Sequence, residues 1–248
     1  MTTLDSRSLG SIDCFMKRFG SAGLVRYTVS RGFGFPPPRD ETEEVFTIEV
    51  GKAARREGSQ QHEITVREEG GRLRVDRPQM EIGAGDFVVW HAADGSTPRF
   101  SVSGEMPKGA FSSAELTTEA VFTHPFGLPG VFRWVDANGS RVGGEVVVRP
   151  VEDEGPASRE RWLSRLEEAA SVVVRGTSAE PERVEIVVGQ TVAWVFDRAG
   201  GVTVTDASLL KRGGPSREAE EAREVMVSPA KRRPPSKGRT STRSRRKR

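Results

Sequence analysis

Two stretches of this 248-residue chain recur at nearly the same distance. "FMKRFGSAGLVRY" (residues 15–27) matches "FTHPFGLPGVFRW" (122–134) as F-x-x-x-F-G-x-x-G-x-x-R-aromatic, at an offset of 107. "MEIGAGDFVVW" (80–90) matches "VEIVVGQTVAW" (184–194), with Glu, Ile, Gly, Val and Trp agreeing, at an offset of 104. Such self-similarity constrains a fold more than any single motif, because each copy is a unit whose apolar face a neighbour must cover. The two offsets imply one unit of about 105 residues.

Within the unit, strand signals dominate. Short Val/Ile/Phe/Trp runs bounded by Gly and Pro recur as "HEITV", "DFVVW", "RFSVSG", "GVFRWV", "GEVVV", "VEIVVG" and "TVAWVF", the pattern of an all-β sandwich or barrel. Read from these matches, residues 11–52 hold the second half of the unit, 62–150 the whole and 171–228 the first half. The expectation is therefore that 8–52 and 171–228 fold together as one discontinuous sandwich, with the complete sandwich 62–150 inserted. A half-sandwich alone would leave sheet edges open, and exchange between two chains, a domain-swapped homodimer, is the competing solution. Between them, Pro156 and Ser158 mark the start of a linker helix over 153–170. Trp162, Leu166 and Ala169 share one of its faces and would pack on a sheet.

The ordered set "ITVREEGGRLRVDRPQMEIGAGDFVVWHAADGSTPRFSV" and "FTHPFGLPGVFRWVDANGSRVGGEVVV" resembles a cupredoxin, the plastocyanin-like Greek-key sandwich. The resemblance implies a copper site and electron transfer at one end of the fold, and it implies where the ligands would fall. The first His position is Arg99, the Cys position Asp136, the second His position Gly139 and the Met position Val142. In the outer pieces, Val29 takes the Cys position and Gly201 lies near the first His position. Type 1 copper needs two imidazoles, a thiolate and a weak axial thioether. All four ligands are replaced, so the expectation is a divergent, metal-free member, without cofactor, in which an Arg99–Asp136 ion pair stands where the metal would be. Of the three histidines, His91 is placed near that end, His124 at the opposite end and His62 before the first strand.

Hydrolytic motifs are missing from the sequence: it has no H-E-x-x-H and no G-x-S-x-G. "GSAG" and "GLPG" are turns rather than phosphate loops, because no Lys-Ser/Thr follows them. "PPP" at 36–38 reads as a stiff connector. Cys14, the one cysteine, precedes Phe15 on a strand and reads as a buried, inert thiol in a reducing compartment. Trp90, Trp134 and Trp194 fall where sandwich cores place aromatics. The reading is of a non-enzymatic protein.

The net charge of +3 hides an asymmetry. Residues 231–248, "KRRPPSKGRTSTRSRRKR", carry Lys231, Arg232, Arg233, Lys237, Arg239, Arg243, Arg245, Arg246, Lys247 and Arg248 and no acid. The remaining residues hold 28 bases against 35 acids, about −7. Such a tail lacks apolar surface to bury, so disorder is expected, and its charge suits a polyanion bound through counterion release. Nucleic acid, an acidic protein surface and a nuclear import receptor all fit. Ser236, Thr240, Ser241, Thr242 and Ser244 would let phosphorylation lower the charge. With no apolar run for a membrane helix and no secretory pattern at the start, an intracellular protein, cytoplasmic or nuclear, is expected. Its expected partners are a protein or assembly and a polyanion, with no membrane.

Overall fold

The computed structural model describes residues 3–33, 44–52, 58–151 and 155–212. The basic tail and the proline run at 36–38 lie outside them. The first nine strands are β1 (Cys14–Arg18), β2 (Gly23–Arg31), β3 (Val45–Gly51), β4 (Gln61–Glu69), β5 (Arg72–Val75), β6 (Gln79–Gly83), β7 (Phe87–Ala92), β8 (Phe100–Met106) and β9 (Gly109–Ser112). A two-residue β10 (Leu116–Thr117) follows, and the order then begins again. It runs through β11 (Ala120–Pro125), β12 (Gly130–Asp136), β13 (Gly143–Arg149), the helix α1 (Pro156–Glu167), β14 (Ala170–Arg175), β15 (Ser178–Glu180), β16 (Arg183–Val187), β17 (Thr191–Phe196), β18 (Gly200–Val202) and β19 (Val204–Asp206), to the short α2 (Ala207–Arg212).

The pairing makes the repetition explicit. One eight-stranded sheet runs β15-β14-β17-β11-β1-β7-β4-β5. From its centre outwards, β1-β7-β4-β5 and β11-β17-β14-β15 are the same series twice. Two smaller sheets, β6-β3-β2-β8-β9 and β16-β13-β12-β19, repeat each other in the same way. Even the parallel pairs correspond: β3–β6 and β4–β7 in one copy, β13–β16 and β14–β17 in the other.

Alternation along the strands sets the layers. In β2, Val25, Tyr27 and Val29 are buried and Arg26 is exposed. Aromatic contacts then join each small sheet to its half of the large one. Trp90 of β7 meets Tyr27 of β2 at 5.6 Å and Phe111 of β9 at 5.7 Å, while Trp194 of β17 meets Trp134 of β12 edge-on at 5.9 Å. All three tryptophans are core residues, at most 1% exposed. The result is a β-sandwich-like, all-β body.

The sheets combine the segments differently from the expected discontinuous sandwich. Strands of the 8–52 segment pair with 61–112, as β2 with β8 and β3 with β6. Strands of the 171–206 segment pair with 120–149, as β17 with β11 and β16 with β13. Each copy is thus contiguous and begins at its F-x-x-x-F-G strand. An offset tells how far apart two copies lie but not where either begins, so half–whole–half and whole–whole read identically. Joining sequence neighbours closes shorter loops, which is the cheaper arrangement.

Residues before β1 tie the copies together. Asp5 bridges Thr205 of β19, and Leu9 bridges Phe100 of β8. The helix α1 is shorter than the 153–170 segment and ends before Ala169. Pro156 opens it, where its missing N–H costs nothing. Trp162 donates its indole N–H to the Val188 carbonyl at 2.8 Å, and Leu166 lies against Gly189 in the β16–β17 turn. Among the described residues, no helix is long and apolar enough to cross a membrane.

Candidate functional site

The positions at which the cupredoxin resemblance would place copper are occupied by structural side chains. Arg99, just ahead of β8, donates from Nη1 to the Ser8 carbonyl at 2.6 Å and from Nη2 to that of Thr3 at 3.1 Å. It clamps the segment that ties the copies. Asp136, at the end of β12, accepts the backbone N–H of Thr203 at 2.8 Å, of Asn138 at 3.0 Å and of Ser140 at 3.3 Å. Burial alone would raise its pKa, but the Ser140 hydroxyl and these N–H groups outweigh it and hold the carboxyl below its usual range. Gly139 supplies the left-handed turn residue at φ +85°, and Val142 is buried.

The expected Arg99–Asp136 ion pair is not formed. The two residues belong to different copies, and each spends its charge on backbone groups. The first copy instead sets Arg99 beside the β2–β8 ladder that contains Val29. In the second, Asp136 faces Val204 across β12–β19, close to Gly201 in chain order. Arg, Val, Asp and Gly do not compose a type 1 donor set, and the residues present do not fit copper. Among the described residues, no three His, Cys, Asp or Glu side chains group as metal ligands. Each histidine faces a carboxylate instead: His62 faces Asp86 at 3.0 Å, His91 faces Glu63 at 3.9 Å and His124 faces Asp13 at 2.6 Å.

The seam between β1 and β11 is chemically richer. Phe15, Lys17 and Phe19 alternate onto the buried face, and Lys17 is only 3% exposed. The antiparallel register sets Phe15 opposite Phe122 and Lys17 opposite Ala120. Continued one step beyond the ladder's other end, the same register puts Asp13 opposite His124. There the Asp13 and His124 side chains share their 2.6 Å hydrogen bond, and the second Asp13 oxygen accepts the Gly10 N–H at 2.6 Å. Lys17 Nζ donates to the Thr118 carbonyl at 2.5 Å. Burial pushes the Lys17 pKa down, and the charge of Glu119 opposes the shift. Neither Lys17 nor Asp13 belongs to a recognisable motif in the sequence. The available signal is a lysine on the apolar face of F-x-x-x-F, aligned at offset 107 with His124.

Two concavities lie near these elements. An open one of about 700 Å³ sits over β2, β8 and β9 and includes Arg26, Glu105 and Phe111. A smaller, more enclosed one of about 110 Å³ lies at the end of the first copy, lined by Lys17, Arg18, Phe19, Met106, Lys108 and Glu119 among others. Cys14 is half-buried on β1, opposite His91 and Thr123. Burial pushes its thiol pKa up, which disfavours the reactive thiolate. In comparisons with known proteins, no family model, no curated protein and no solved structure matches the chain.

Proposed function

We propose that the protein is a non-enzymatic scaffold, two metal-free cupredoxin-like Greek-key sandwiches carrying a basic tail that docks on a polyanion. The observation that carries the reading is the charge contrast: ten cations without an acid in residues 231–248, against about −7 over the rest of the chain. Counterion release lets such a segment hold nucleic acid or an acidic protein surface without reading sequence. The scaffold part is supported by the use of Arg99 and Asp136 as backbone clamps, which leaves the family's redox positions without donors. An intracellular setting, cytoplasmic or nuclear, accords with this charge pattern and with a lone thiol.

Deletion of residues 231–248 tests the proposal. Binding to RNA or heparin is expected to fall steeply with salt in the full chain and to be lost in the truncated one, while the far-ultraviolet spectrum and melting of the body stay the same. Equal binding by the truncated chain overturns the assignment.

A further inference from the structure

The two copies treat one buried position differently. At offset 107, Lys17 corresponds to His124 and Asp13 corresponds to Ala120. Across the β1–β11 seam, His124 is met by the Asp13 carboxylate at 2.6 Å. Its counterpart Lys17 is met by Ala120, a methyl group. Directly opposed residues of an antiparallel pair point to the same face, so the fold twice sets a buried side-chain nitrogen opposite a place for a carboxylate and fills that place once, with Asp13. A buried ammonium without an anion is costly, and the single carbonyl of Thr118 uses one of its three N–H donors. Glu119 is a partial substitute, since its carboxylate is also 3.6 Å from Arg18 and its side chain is 40% exposed.

The space for the missing group is present. The partly open cavity of about 110 Å³ is lined by Lys17, Arg18 and Lys108 against the one carboxylate of Glu119, a formal excess of two positive charges. Phe19 and Met106 supply apolar wall. We propose that this cavity binds a small carboxylate, of the size of formate or acetate, which supplies to Lys17 the anion that Asp13 supplies to His124. The ligand's oxygens would accept from the Lys17 ammonium, with Arg18 and Lys108 neutralising the entrance. The site belongs to the folded body and does not depend on the tail.

The experiment is thermal melting of the full chain in sodium acetate or sodium formate against sodium chloride at equal ionic strength. The expected result is a saturable rise in Tm with the carboxylates alone, since a ligand bound only by the native state stabilises by mass action. Lys17→Met removes the ammonium and Ala120→Asp builds the carboxylate in, so each should abolish the carboxylate-specific rise. Ala120→Asp should also raise the Tm in chloride. Exposed Lys108→Gln, which leaves the core untouched, should weaken the apparent affinity several-fold and serves if either buried variant fails to fold. No rise over chloride, or the same rise in all the variants that fold, overturns the proposal.

Discussion

Phe15 and Phe122, 107 residues apart, lie directly opposite each other in the β1–β11 ladder. They are repeat-equivalent, so this pair marks the axis that relates the two copies. Cys14 faces Thr123 and Met16 faces Val121 on either side of it, and both phenylalanines are fully buried. The seam is therefore part of the core as well as a line of backbone hydrogen bonds.

The body should accordingly unfold as one unit. Expressed alone, residues 1–113 would present β1, and residues 114–212 would present β11, as open apolar edges prone to aggregation. Each fragment is expected to be insoluble or self-associated, and the two to co-purify when made together. A single transition in urea, coincident by tryptophan fluorescence and circular dichroism, is expected of the intact chain. If either fragment alone is a soluble monomer with a cooperative transition, the seam is not needed for folding.

Loss of the buried Asp13–His124 pair should be among the most damaging single changes. Asp13→Ala strands the His124 ring and leaves the Gly10 N–H without its acceptor. Leaving a buried hydrogen-bonding group without its partner costs about 1–3 kcal/mol, and more where the group left behind is the Asp13 carboxylate, as in His124→Phe. Urea titration of Asp13→Ala, His124→Phe and the double variant should show strong coupling, with the double variant more stable than the sum of the single losses predicts. Additive losses would show that the two groups do not depend on each other.

Arg99 has a different office, and its test is local. Two guanidinium hydrogen bonds to the Ser8 and Thr3 carbonyls hold the segment that spans the copies. Arg99→Ala should cost about 2–4 kcal/mol, given roughly 1.5–3 kcal/mol for each hydrogen bond to a charged group and partial rescue by water. Amide exchange at Ser6 and Leu9, whose N–H groups bond to Val204 and Phe100, should quicken more than exchange in β17. Arg99→Lys should recover little, because an ammonium lacks the fork that reaches two carbonyls at once. Unchanged exchange at both amides would contradict the clamp.

Much of this architecture is legible in the chain because period-2 alternation reports directly which residues are buried. "TVAWVF" coincides with β17, and "DFVVW" ends in Trp90, which the core encloses. Alternation says which face a residue takes but not which strand lies beside it. The repeat is therefore plain in the sequence while its phase is not, and nothing in the alternation tells that Arg99 and Asp136 belong to different copies. Lys17 and Asp13 stayed hidden for a related reason. Lys17 matters because β11 brings Ala120 opposite, and Asp13 because the same strand brings His124, neighbours that only the register reveals.

The buried Lys17 ammonium also makes a prediction about pH. Burial lowers its pKa in the folded state below the ordinary 10.5, with Glu119 opposing the shift. Between the folded value and 10.5 the unfolded chain binds more protons than the folded one, so this residue makes stability rise with pH across that window. Below it both states are protonated and the full penalty remains, which means that at neutral pH the charge costs stability. Lys17→Met, similar in volume and uncharged, is therefore expected to stabilise the body at pH 7 by about 1–4 kcal/mol, the gain typical of replacing buried charge with apolar packing. The advantage should shrink as pH climbs towards 10.5. Cys14 and Tyr27, whose pKa values burial raises, drive stability the other way in alkali. They are common to both chains, so the difference between native and variant urea midpoints isolates Lys17. A difference that is flat from neutral to alkaline pH, or that grows, would show that the ammonium is already fully compensated in the fold.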